Sequence, residues 1–285
     1  MKHKFKRVVI LLNDLENVES ILKKGVLFAN EHNALLEVLF VHEVPLFEVP
    51  DYFLSNEKIS ETILDKEKVK EDIEKQLETL NFENEQVVFV YANDTVDRVL
   101  NLIKASEETL VLTQYHKELS SQLVEKTPYT YWIVKKEEKE YKNIAFTIDL
   151  QNKFKPYLPI IAHIFPKATI ELIHNYRYML DPIVTSQDYL IVDTISKEVD
   201  IELNQVVRDQ KIKIFEEYQE KYELKGTFLE GDGIFNDDLI QYIQNKNFNL
   251  TVLHRDNDDI FFTPTLIKDL MEEITTDFFI FQSAS

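Results

Sequence analysis

The chain has 285 residues, 44% of them hydrophobic, and a formal net charge of −19 at pH 7. Its length suits one large or two ordinary domains with a full core, and it is too acidic for a surface that neutralises nucleic-acid phosphates or docks on an anionic membrane. There is no cysteine, which excludes disulfides, thiolate nucleophiles and Cys-bound metal centres, and only four glycines, at 25, 226, 231 and 233, where backbone could approach a ligand closely.

The first apolar run, Val8 to Leu12, is too short for a signal-peptide core or a membrane span. It is taken as the first strand, 5–12, of a cytoplasmic protein. A helix follows over about 16–31, with Val18, Ile21, Leu22, Gly25, Val26 and Ala29 on one face. Next come a strand at 34–41, a Pro-bearing loop, and a helix over about 57–80. Its stripe of Ile59, Ile63, Val69, Ile73, Leu77 and Leu80 faces inward, and Glu and Lys cover the other side. A strand near 86–91 leads to a helix near 95–105 that Asp94 or Thr95 would cap. A strand near 109–113, a helix near 117–125 and a strand near 129–135 close the series.

The series is then written again. FKRVVILLND (5–14) aligns with YKNIAFTIDL (141–150), and EVLFVHEVP (37–45) with ELIHNYRYM (171–179). ETLVLTQ (108–114) aligns with NLTVLHR (249–255), and PYTYWIVKK (128–136) with TDFFIFQ (276–282). In the second half the long helix is expected near 196–222 and the last helix after Pro264. Apolar strands alternating with helices predict a parallel, doubly wound sheet in each half. The charged KKEEKEYK (135–142) is the expected linker, dividing the chain into units 1–138 and 139–285.

Five strands and four helices per unit, with a first strand ending in Asp149, a second strand carrying His174, and the segments FLEGDGIFNDDLIQYI and NFNLTVL, resemble the universal stress protein family. The resemblance covers nearly the whole chain as two tandem flavodoxin-like five-stranded parallel sheets, strand order 3-2-1-4-5, with helices on both faces. It implies a stress-response or regulatory role. In many members of that family an Asp at the end of the first strand contacts adenine. A Gly-x2-Gly-x9-Gly-Ser/Thr loop after the fourth strand holds phosphate through backbone N–H groups.

Both loop positions depart from that pattern. The second reads HRDNDDIFFTPT, with Asp256, Asp258 and Asp259 and no glycine; the first, TQYHKELSSQLVEKTP, also lacks glycine. Asn13 stands at the adenine-contacting position of the first unit, and Asp149 at that of the second. The expectation is therefore a non-catalytic protein without cofactor, acting through an unidentified protein or small-molecule partner. The alternative is an ATP-binding switch or weak ATPase that uses Asp149 and the turn Gly231–Gly233. A residual pocket would lie at the carboxyl ends of the first and fourth strands of unit 2, where Asp149 and the backbone near Gly231 are expected to converge.

Other features have simpler explanations. Gly231 and Gly233 suit a strand-to-helix turn with Asn236 as cap, and the Asp256–Asp259 acids lack EF-hand spacing. The seven histidines show no zinc spacing, so no metal site and no catalytic residue is assigned. Tyr176-Arg177-Tyr178 either packs a loop or lines a ligand pocket. The fifth strands, Tyr131–Lys135 and Phe278–Phe281, are aromatic and would be sheet edges if left alone. They are expected to pair antiparallel within the chain, burying Trp132 and Phe279, which makes a pseudo-dimeric monomer the expected state.

Overall fold

The computed structural model describes residues 5–15, 18–42, 65–80, 82, 86–92, 94–102, 108–136, 140–150, 154–177, 193–231, 237–255 and 264–282. The chain forms two compact units. One is Met1–Glu137 with Arg255–Asn257 and Asp277–Ser285; the other is Glu138–His254 with Asp258–Thr276.

The first unit contains β1 (Arg7–Leu12), α1 (Val18–His32), β2 (Leu35–His42), α2 (Lys66–Thr79), β3 (Gln86–Ala92), α3 (Thr95–Leu102), β4 (Thr109–Gln114), α4 (Lys117–Lys126) and β5 (Thr130–Val134). Its strands run β3-β2-β1-β4-β5, each parallel to its neighbours. This is the flavodoxin-like order. It follows from crossovers that turn one way from β1 to β2 and β3, and the other way to β4 and β5. Every residue from Val8 to Leu12 is buried, as expected of a strand covered on both faces.

Local signals account for the helix limits. The Asp65 carboxylate accepts the Lys68 N–H at 3.1 Å and opens α2; Asp94 accepts the Asp97 N–H at 3.0 Å and opens α3. All six residues assigned to the inner face of α1 are buried. Gly25 sits where that helix crosses β1, and a Cβ there would lie 2.4 Å from Ile10 Cδ1 and 3.2 Å from Leu112 Cδ2. Gly25→Ala is expected to cost about 1–3 kcal/mol through overpacking, read as a lower urea midpoint with an unchanged slope. The part of the long helix expected over 57–64 lies outside the described residues.

A last strand, β10 (Asp277–Gln282), completes this unit. Phe278 pairs with Ile133, Phe279 with Trp132 and Ile280 with Tyr131, all antiparallel. Trp132 and Phe279 are both buried, as expected from the aromatic edge strands. Their rings are 6.0 Å apart and continue into Phe5, Phe28 and Phe281. In sequence β10 is the last strand of the second repeat, and it pairs antiparallel with β5. The physical reason is the edge of β5, whose apolar face and unpaired backbone groups it covers. Asp277, fully buried, anchors the pairing. It accepts the N–H groups of Lys135 and Lys136 at 2.8 and 2.9 Å and stands 3.5 Å from the Lys24 ammonium. Arg255 caps the carboxyl end of α4 by donating to the Val124 and Glu125 carbonyls.

The second unit contains β6 (Asn143–Thr147), α5 (Leu158–Ile164), β7 (Thr169–Arg177), α6 (Asp193–Tyr222), β8 (Lys225–Gly231), α7 (Asp237–Asn245), β9 (Leu250–Arg255) and α8 (Pro264–Glu273). The strands run β9-β6-β7-β8, with β6 parallel to β7 and β9, and β7 parallel to β8. Helices cover both faces. Phe228 meets Phe215 of α6 on one side, while Thr227 on the other side hydrogen-bonds the Tyr242 hydroxyl of α7 at 2.7 Å.

Candidate functional site

In an open α/β sheet, ligands gather beyond the carboxyl ends of the strands. At that edge of the second unit β6 runs on through Ile148, whose N–H donates to the Ile173 carbonyl at 2.9 Å. Asp149 follows and is only 2% exposed. Leu150 comes next with φ 62°, a left-handed conformation rare for a bulky side chain. On the neighbouring strand His174 is 1% exposed, and its Nδ1 lies 2.7 Å from the Ile148 carbonyl oxygen. A carbonyl only accepts, so Nδ1 carries the proton and Nε2 is left with a lone pair. Nε2 is buried and has no hydrogen-bond partner.

The surroundings hold that ring neutral. Burial pushes the His174 pKa down to about 4; the hydrogen bond to Ile148 opposes the shift and the positive charge of Lys211 adds to it. Lys211 projects from α6 with its Nζ 5.2 Å from the centre of the Tyr176 ring. Burial lowers its own pKa, while the charge of Asp149 acts the other way. Phe228 stacks on Tyr176 at 5.9 Å and stands 5.2 Å from the His174 ring. The edge of β6 and β7 therefore joins a carboxylate, a neutral imidazole acceptor, an ammonium and an aromatic wall.

Gly231 is not part of that group. It ends β8, the third strand of the unit, and β7 lies between β8 and β6. The expected convergence of Asp149 with the backbone near Gly231 is thus corrected, because the sheet order holds them two strands apart. Gly231 is not in the left-handed region either. A Cβ there would lie 2.6 Å from Asp238 Oδ2 and 3.8 Å from Asn175 Oδ1, so acceptor oxygens fill the space beside it. Gly233, Asn236, Tyr178 and the acidic residues Asp256, Asp258 and Asp259 lie outside the described residues.

The corresponding edge of the first unit is built differently. Asn13 Nδ2 donates to the Val41 carbonyl at 3.0 Å and to Thr95 Oγ1 at 2.9 Å, tying the ends of β1 and β2 to the start of α3. Between β4 and α4 stand only Tyr115 and His116. Both of their backbone N–H groups are engaged, Tyr115 with the Val134 carbonyl at 2.9 Å and His116 with Ser120 Oγ at 2.9 Å. The His116 ring approaches Asp14 at 3.9 Å. Among the described residues no group of three or more His, Asp or Glu side chains is placed to hold a metal ion.

Two solved structures match this arrangement along nearly its full length. A functionally unknown protein from Pseudomonas aeruginosa PAO1 superposes with a TM-score of 0.61 at 13% identity, covering 97% of this chain and 92% of its own. A universal stress protein from Archaeoglobus fulgidus DSM 4304 superposes with a TM-score of 0.59 at 12% identity, covering 100% of both chains. The fold is that of a universal stress protein. No protein-family model matches the sequence, and no curated protein matches it.

On the universal stress protein fold, Asp149 and Asn13 hold equivalent places at the ends of β6 and β1, as the sequence alignment expects. Sequence reasoning missed Lys211 and Phe228. A signal for Lys211 was present: it shares a helical stripe with Phe215, Tyr218 and Tyr222, and a lysine on an otherwise aromatic face of α6 marks a position turned toward the sheet.

Proposed function

We propose that this universal-stress-like chain is a non-catalytic regulatory protein of the stress response that has lost ATP binding and works through a small ligand or protein partner. The carrying observation is the two-residue connection after β4. A phosphate loop needs free backbone N–H groups, and both N–H groups of Tyr115 and His116 are already engaged. In the second unit the sequence after β9 supports the same reading, since Asp256, Asp258 and Asp259 would repel a triphosphate. The site left for a ligand is the Asp149–His174–Lys211 edge. The proposal includes a cytoplasmic monomer whose two halves stand in for the two copies of a dimer. Among the described residues no helix is long and apolar enough to cross a membrane.

The competing reading is an adenine-nucleotide switch in the second unit, and Asp149 at the expected adenine position favours it. Calorimetric titration and thermal unfolding with millimolar Mg-ATP separate the two. The expected result is no binding heat and no change in Tm. A rise of several degrees that grows with the logarithm of ATP concentration would select the switch.

A further inference from the structure

His174 Nε2 poses a specific chemical demand. With Nδ1–H committed to Ile148, Nε2 accepts and cannot donate, and it is buried without a donor. An unmet buried acceptor is destabilising, and such groups call for an explanation of their own. The charge of Lys211 acts on this ring and that of Asp149 acts on Lys211, and Ile148, whose carbonyl holds Nδ1, is followed by Asp149 and by Leu150 in a strained conformation at φ 62°. Strain of that kind gathers at ligand sites.

We propose that the Asp149–His174–Lys211 edge binds a free α-amino acid, its ammonium group donating to His174 Nε2 and to Asp149 and its carboxylate meeting the Lys211 ammonium. The proposal rests on the small-ligand reading given above and names the class of ligand. Sign and valence select that class. A plain anion would face the Asp149 carboxylate, and a plain cation would face Lys211; a zwitterion opposes each with its complement. Only a ligand with an N–H or O–H donor satisfies Nε2. The imidazole stays neutral, and hence an acceptor, throughout the physiological range. The Tyr176 and Phe228 rings add an apolar wall, which favours an amino acid with a hydrophobic side chain.

The test uses the full chain, thermal unfolding and calorimetry. The common α-amino acids are compared at millimolar concentration with analogues that lack either the carboxylate or the ammonium; isoamylamine and 4-methylpentanoate serve for leucine. At least one amino acid is expected to raise Tm in proportion to the logarithm of its concentration, with both analogues silent. Lys211→Met and Asp149→Asn should each weaken binding at least tenfold, while Glu216→Gln, on the exposed side of α6, should leave it unchanged. Lys211 is on a half-exposed helix face, so its variant remains informative if Asp149→Asn does not fold. Silence of every amino acid, equal binding of the amine alone, or indifference to Lys211→Met would overturn the proposal. Mg-ATP is run in parallel. Silence of both ligand classes removes the amino-acid assignment alone, whereas a response to ATP removes the functional reading beneath it.

Discussion

Phe279→Ala is expected to destabilise the protein by about 3–5 kcal/mol, the usual cost of deleting a buried ring. Phe279 is fully buried, pairs across β10 and β5 with Trp132, and contacts the rings of Phe5 and Phe281. The same side chain helps hold the strand that covers the β5 edge. Loss therefore has two consequences, a cavity among aromatic rings and a weaker cover over backbone groups that otherwise recruit other chains. Single domains are stable by about 5–15 kcal/mol, so the change removes a large share of the margin. Urea unfolding of Phe279→Ala beside Phe279→Leu measures it, with leucine expected to recover more than half of the loss. A cost below about 1 kcal/mol for alanine would show that the aromatic cluster is not part of the core.

A second large effect is a dependence of stability on pH, set by His174. In the unfolded chain this imidazole binds its proton below pH 6.5; in the folded protein it does so only below about 4. Between those values the unfolded state holds more protons, so stability falls as pH falls. The contribution is fully present above 6.5 and is lost toward pH 4. The loss is about 3 kcal/mol, since each tenfold difference in proton affinity between the two states is worth about 1.4 kcal/mol. Other groups titrate in the same window, and the informative quantity is the difference between wild type and His174→Gln. That difference is expected to shrink steadily from pH 6.5 to 4 and to be flat above. Parallel stability curves for the two proteins would mean that His174 is protonated alike in both states.

The parts of this architecture set by local pattern were visible in the sequence. Continuous apolar runs became buried parallel strands, and the 3-4 spacing in α1 put all six named residues inside. The aromatic edge strands also found each other, because a repeat with two exposed edges leaves few ways to cover them. Distant placement was less visible. Asp149 and Gly231 each look like ligand residues in their own segment, but β7 separates the strands that carry them, and nothing local to either segment reports that. Lys211 reaches the Tyr176 ring, and the field of Asp149, from a helix far along the chain, a placement fixed by how α6 lies on the sheet. Asn13 is instructive in another way. The sequence shows that it is not Asp, and the structure shows why an amide suits the place. Its Nδ2 donates twice, to the Val41 carbonyl and to Thr95 Oγ1. A carboxylate has no proton to give and would face the Val41 carbonyl oxygen. Asn13 thus ties β1, β2 and α3 together.

The central proposal is a universal stress protein fold that has lost ATP binding. Native mass spectrometry of the full chain, purified without denaturation and then incubated with excess Mg-ATP, tests it most directly. The account predicts a monomer that carries no adenine nucleotide before or after incubation. A retained mass increment of AMP or ATP, removed by Asp149→Asn, would contradict it.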